Sequence, residues 1–246
     1  MSLFKKKKIK VKVLGISGSP RKNANTSFLL DQALEGAKSV DSEAVETEGY
    51  SISGKQYLPC ISCFTCGKVG YCIRSKDDDF EELRDKWIAA DAVIMAVPVY
   101  HMGIPGQLKC FIDRLGNSIW SYYGGVGKHL KVYGAIAQGV HIFSGQEHAM
   151  TQIINHAIVM GNIIISGDAW ESYIGGGAWT ENKIEKNSLK KLYEGKSFDA
   201  ETSVKASRSL GKRVAELALI LKAGALYCMD YLKKDPAYKP FIDRIK

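Results

Sequence analysis

The chain of 246 residues is 46% hydrophobic and 24% charged, which suits one α/β domain with a large core and excludes wholesale disorder. No run approaches the ~18–20 apolar residues of a bilayer span. Met1-Ser2-Leu3-Phe4 leads into Lys5-Lys6-Lys7-Lys8 with no long apolar stretch behind it, so a cytoplasmic protein without leader or membrane contact is expected. The formal charge of +8 sits largely in Lys5, Lys6, Lys7, Lys8, Lys10 and Lys12. A solvated basic edge is therefore favoured over a nucleic-acid surface.

In chain order, residues 9–15 alternate charged and apolar side chains and predict a first strand, ending in Ile16-Ser17-Gly18-Ser19-Pro20. A helical stripe follows over 26–40, with good N-cap residues at its start. Residues 43–48 predict a second strand. Asp77-Asp78-Asp79 precedes a helix over 80–90, with acids where the helix dipole favours them. The apolar run 92–97 reads as a strand covered on both faces. Beyond it come a helix at 104–115, a strand at 131–137, a helix at 146–160 and a short strand at 163–165. Residues 167–198 break the rhythm and read as an insertion or mobile loop. The stripe over 202–221 predicts a long last helix reaching towards Leu232, and no helix is predicted in the tail from Asp235 onwards. Five strands alternating with helices predict a doubly wound parallel sheet with ligands at the carboxyl ends of its strands. The chain is read as a single domain over 1–246. It carries a cysteine loop at about 54–76, an insertion at about 167–198 and a C-terminal helical extension at about 200–246.

The loop after the first strand offers hydroxyls at Ser17, Ser19, Thr26 and Ser27, a guanidinium at Arg21 and the amides of a helix N-terminus. Unpaired amide donors and the positive end of the dipole suit a phosphate. No Gly-x-Gly-x-x-Gly fingerprint and no Gly-Lys-Ser/Thr ending is present, so a terminal monophosphate is favoured over a bridging pyrophosphate. The loop after the third strand, Pro98-Val99-Tyr100-His101-Met102-Gly103-Ile104-Pro105-Gly106, has a stiff backbone against which a flat apolar ring can rest. Tyr100 and Met102 read equally well as loop packing. His101 reads as a proton donor to a bound ring or, more simply, as a solvent-facing histidine.

Four of the six cysteines fall within thirteen residues as Cys60-x2-Cys63-x2-Cys66-x5-Cys72. Closely spaced thiolates suit a [4Fe–4S] cluster. Zinc more often takes two separated Cys-x2-Cys knuckles, and free thiols or disulfides remain as further alternatives. Cys110 and Cys228 are expected simply to pack in apolar helices.

The two loops, with Gly15-Ile-Ser-Gly-Ser-Pro-Arg21, Asn25-Thr26 and Pro98 to Lys109 followed by Phe111-Ile-Asp-Arg114, resemble the flavodoxin-like NAD(P)H-dependent FMN reductase family over roughly 9–165. With the cysteine motif added, the chain resembles the iron–sulfur flavoproteins of anaerobic microbes. The resemblance implies a flavodoxin-like fold, with phosphate contacts from Ser17, Ser19, Arg21, Asn25, Thr26 and Ser27. It implies an isoalloxazine lined by Pro98, Val99, Tyr100, His101, Met102 and Gly103 and closed by Ala137 and Gly139. It also implies FMN and one [4Fe–4S] cluster held by Cys60, Cys63, Cys66 and Cys72. A homodimer or homotetramer would pass electrons from a ferredoxin-like donor or NAD(P)H to dioxygen, peroxide or quinone-like acceptors. The rival readings are a cluster-free FMN or quinone reductase with zinc or free thiols, and a non-catalytic flavin-binding interaction module.

Overall fold

The computed structural model describes residues 9–123, 125, 127–168 and 172–245. The lysine run Lys5–Lys8 lies outside them. Strand β1 (Val11–Ser17) lies between β2 (Val45–Ser51) and β3 (Ala92–Pro98), and β4 (Val132–Gly139) follows β3. The order β2-β1-β3-β4-β5 is all parallel, with β5 reduced to Ile163–Ile164. This is the flavodoxin-like winding, which reverses direction between β1 and β3.

The period-two alternation of the strands sends side chains to two cores. Leu14, Ile16, Val93, Met95 and Val97 meet α3 (Phe80–Ala89), α4 (Gly106–Tyr123) and α5 (Gln146–Val159) through Phe80, Leu83, Trp87, Leu108, Phe111 and Ile153. Val11, Val13, Ala92, Ile94 and Ala96 meet α1 (Asn25–Lys38) and α7 (Phe198–Tyr227) through Leu29, Leu30, Ala33, Leu210 and Val214. Every residue of β3 and β4 is buried, as expected for strands covered on both faces. Helices α1 and α7 touch backbone to backbone. A Cβ on Gly36 would strike the Arg208 carbonyl, and one on Gly211 would strike that of Ala33. Only glycine permits this approach.

The structure corrects the sequence expectations in two regions. Residues 167–198 are not simply an insertion or mobile loop. They carry a sixth strand, β6 (Gly176–Trp179), which pairs in parallel with Ile136–Gly139 of β4, and helix α6 (Ser188–Glu194), which buries Leu189 and Leu192. Strand β5 covers only Val132 and Tyr133, so the carboxyl half of β4 would lack a partner on that edge without β6. The tail is helical as well. After α8 (Met229–Leu232) and a 3-10 turn (Pro236–Tyr238), α9 (Lys239–Ile245) buries Phe241, Ile242 and Ile245 against Ala225 and Leu232. Pro236 and Pro240 occupy first-turn positions, where the missing N–H costs nothing. Arg244 ties this helix to Asp91 at 3.2 Å and to the His129 carbonyl at 2.7 Å.

One titratable group with a buried ring nitrogen is expected to give the fold a pH dependence. His156 on α5 packs edge-on to Tyr133, and its buried Nε2 has no hydrogen-bond partner. Burial pushes its pKa down to about 4, with Lys109 adding to the shift and Asp113 opposing it. The unfolded chain takes up this proton near pH 6.5, so the contribution is complete above about 6.5 and is lost as the pH falls towards 4. His156→Leu is expected to flatten the pH dependence of unfolding free energy across that interval by up to about 3 kcal/mol. Denaturant titrations at a series of pH values would test it; identical slopes for both proteins would contradict it.

Candidate functional site

The loop between β1 and α1 is built inward. Ser17, Ser19, Asn25 and Thr26 are buried, while Arg21 is exposed. Ser17 and Ser27 share a hydroxyl–hydroxyl bond of 3.2 Å, and the Ser19 hydroxyl accepts the Arg21 amide at 3.2 Å. The expectation that polar residues cap this helix needs correction. Helix α1 starts at Asn25 with Ala24 as its cap and makes no side-chain capping bond, so no side chain competes with an anion for its first amides.

A cavity of about 60 Å³ joins this loop to Pro98, Val99 and Tyr100. From the third loop, Gln138 and Val140 line it. The Ala137 side chain packs in the core, one residue before Gln138. Gly139 lies at the end of β4, where a Cβ would strike the Ser144 hydroxyl, so glycine lets the following loop fold back.

The segment after β6 supplies a wall that sequence reasoning missed. The Arg21 guanidinium donates twice to the Ile184 carbonyl at 3.2 Å. Asn25 donates to the Glu185 carbonyl at 3.0 Å and accepts the Leu189 amide at 3.0 Å. Lys183 and Ile184 line the cavity, and Thr180 and Asn182 bond through their amides to Gly139 and Val140. Arg21 and Asn25 lie some 160 residues from their partners in this segment, and no local pattern announces the pairing.

The turn after β3 is tight. Tyr100 and Gly103 exchange both backbone hydrogen bonds at 2.9 Å, with His101 (φ 47°) and Met102 (φ 63°) left-handed between them. Two non-glycine residues in that region store strain, which folds tolerate chiefly at functional sites. The Ile104 amide donates to Gln152 at 3.0 Å and pins the turn to α5. Pro98, Val99 and Tyr100 face the phosphate-loop cavity. Met102 faces a second cleft of about 610 Å³ with Phe143, Tyr173 and Trp179, while His101 is exposed at the tip.

The cysteine segment lies over α4. Helix α2 (Cys66–Val69) ends at left-handed Gly70 (φ 79°), which turns the chain back towards Cys72. Cys60, Cys63, Cys66 and Cys72 all line one partly open cavity of about 30 Å³ with Arg114, Asn117 and Ser118 of α4. Asn117 Nδ2 donates to Cys60 Sγ at 3.2 Å, and Arg114 Nη2 to Cys72 Sγ at 3.4 Å. Ser121 Oγ lies 3.2 Å from Cys66 Sγ. Hydrogen bonds led by the Thr65 hydroxyl hold the exposed Cys63 thiol below its usual pKa. Among the described residues no three His, Cys, Asp or Glu side chains stand close enough to hold a metal ion between them. The donor chemistry nevertheless fits a thiolate-bound group, because N–H donors aimed at sulfur favour its charged form. Cys110 packs beside the core as expected, but Cys228, at the end of α7, is exposed rather than buried.

A flavodoxin-like sheet with its ligand loops at the β1/β3 switch point, taken with the family match below, defines a flavin-dependent oxidoreductase. The chain belongs to the NADPH-dependent FMN reductase family, whose model matches residues 11–171. It is 34% identical over 215 residues to an iron–sulfur flavoprotein of Methanocaldococcus jannaschii, covering 86% of this chain and 100% of the relative. It is 37% identical over 176 residues to one of Archaeoglobus fulgidus, covering 70% and 85%. The solved structure of an NAD(P)H:quinone oxidoreductase from Methanothermobacter marburgensis superposes with a TM-score of 0.57 at 13% identity, covering 83% and 96% of the two chains. That likeness speaks to the fold. Among the described residues no helix is long and apolar enough to cross a membrane.

Proposed function

We propose that this oxidoreductase holds FMN at the β1, β3 and β4 loops and a [4Fe–4S] cluster at Cys60, Cys63, Cys66 and Cys72. In this reading it carries electrons from a ferredoxin-like donor or NAD(P)H to dioxygen, peroxide or quinone-like acceptors. The observation that carries the reading is that one helix joins the β3 loop to the cysteine segment. Helix α4 leaves the β3 loop at Gly106 and meets the cysteines through Arg114 and Asn117, roughly 12–16 Å further along its axis. A bound flavin stores one or two electrons and a bound cluster passes them singly, so the pair converts between one-electron and two-electron chemistry.

The chain's own residues supply binding and orientation. Ser17, Ser19, Arg21, Asn25, Thr26 and Ser27 would hold the phosphate, and Arg21 would exchange the Ile184 carbonyl for the stronger, charge-assisted partner. Pro98 to Gly103, with Gln138 and Val140, would border the ring. Exposed Ile61, Phe64 and Ile73 beside the cysteines, and exposed Tyr100, Met102 and Phe143 beside the flavin loops, support assembly as a homodimer or homotetramer.

An anaerobic visible spectrum of the purified protein tests the cofactor pair. Flavin bands overlaid by broad cluster absorption that bleaches on reduction are expected. Flavin bands alone, or stoichiometric zinc, would leave a cluster-free reductase.

A further inference from the structure

Helix α4 turns one face towards the cysteine sulfurs, and the donors on that face fall at regular helical spacing. Arg114, Asn117 and Ser121 stand at i, i+3 and i+7, so they line up along the axis. Each sits against a different sulfur: Arg114 against Cys72, Asn117 against Cys60 and Ser121 against Cys66.

Arg114 is held in place by groups other than the cysteines. Arg114 is fully buried and ion-pairs with buried Asp78. Its guanidinium lies 4.2 Å from the centroid of the Phe80 ring and also donates to the Leu58 carbonyl at 3.3 Å. Asp78 in turn accepts the Leu58 amide at 2.7 Å and the Phe80 amide at 3.3 Å. One arm of a clamped fork is thereby left aimed at Cys72, with little freedom to turn elsewhere. Ser121 at present donates to the Asn117 carbonyl at 2.9 Å, and the Cys66 thiol has the same carbonyl within reach at 3.7 Å. With the Cys66 sulfur engaged as a ligand, a hydroxyl rotation would turn Ser121 into a donor to it.

Sulfur in a neutral thiol is a weak acceptor that gains little from a buried guanidinium or a carboxamide. The same donors matter when the sulfur carries charge, and they matter more after an electron is added to whatever the thiolates bind. We infer that Arg114 and Asn117, with Ser121, are positioning residues that set the reduction potential of the cysteine-bound centre, raising it by stabilising the added electron through Cys72, Cys60 and Cys66. This rests on the proposed cluster. It adds a role for α4: the helix that starts at the β3 loop would also tune the cysteine-bound centre.

The test is a redox titration of the iron- and sulfide-loaded protein, following cluster and flavin absorbance separately. Asn117→Ala and Asn117→Asp remove the carboxamide donor. Arg114→Lys keeps a cation beside Asp78 but lacks the second arm that reaches Cys72. Ser118→Ala is the control, because that hydroxyl lines the same cavity yet donates to the Leu115 carbonyl. The expected result is a lower cluster potential in all three test variants, lowest in Asn117→Asp, with an unshifted flavin potential and no shift in Ser118→Ala. If both Asn117 variants and Arg114→Lys match the control, the proposal is overturned while the cluster stands. Wild-type protein that takes up no iron and sulfide overturns the cluster reading and this proposal with it.

Discussion

Replacing Cys63 by alanine is expected to leave protein that still binds FMN but has lost its iron and sulfide, because the proposed cluster would be missing one of its four ligands. Cys60, Cys66 and Cys72 are partly buried against α4, whereas Cys63 is exposed on the loop side, so its removal disturbs packing least. FMN binding should survive because its proposed loops belong to β1, β3 and β4, and none of the α4 donors to the cysteines lines the cavity beside the β1 loop. Reduction by a one-electron donor should fall sharply, while direct hydride transfer from NAD(P)H persists. Cys110→Ala, on the core side of α4, should keep wild-type iron, sulfide and flavin. Iron and sulfide assays beside flavin content decide the matter, and a Cys63→Ala protein with a full complement of both would sink the assignment.

Arg21→Ala and Thr26→Ala should each weaken FMN far more than riboflavin. A lost charge-assisted or buried hydrogen bond is worth roughly 1–3 kcal/mol, or about 5- to 150-fold in affinity. The two variants should differ in what they do without ligand. Arg21 is exposed and bonds the Ile184 carbonyl, so its loss also frees the segment after β6 from the phosphate loop. Thr26 is buried in the first turn of α1, and its truncation leaves that segment's bonds to Asn25 untouched. Limited proteolysis of the apoprotein should therefore find faster cleavage near Ile184 in Arg21→Ala alone. Equal losses of FMN and riboflavin in titrations of both variants would show that the phosphate sits elsewhere.

What could be read from the sequence is what short-range chemistry dictates. The alternation in β1, the unbroken apolar run of β3 and the stripe of α1 specify a doubly wound sheet, because each pattern is complete within about a dozen residues. The hydroxyl-rich loop from Ser17 to Ser27, the Pro98–Gly106 loop and the spacing of Cys60, Cys63, Cys66 and Cys72 are local in the same sense. Their chemistry follows from residue type and interval.

The tertiary structure decided the rest. Strand β6, with two glycines in four residues, has no strand signature of its own and exists because the carboxyl half of β4 needs a hydrogen-bonding partner on that edge. Helix α9 is seven residues long, too short for a period to show, and forms because Phe241, Ile242 and Ile245 find an apolar seat on Ala225 and Leu232. Arg21 and Asn25 were legible as polar loop residues, but their engagement with Ile184, Glu185 and Leu189 depends on a crossing of some 160 residues. Likewise nothing about Arg114, Asn117 and Ser121 marks them as partners of the cysteines until α4 lies under that loop. Long-range pairing is settled by which buried polar groups and apolar faces must be satisfied together, and that sum is taken over the folded chain rather than over any window of it.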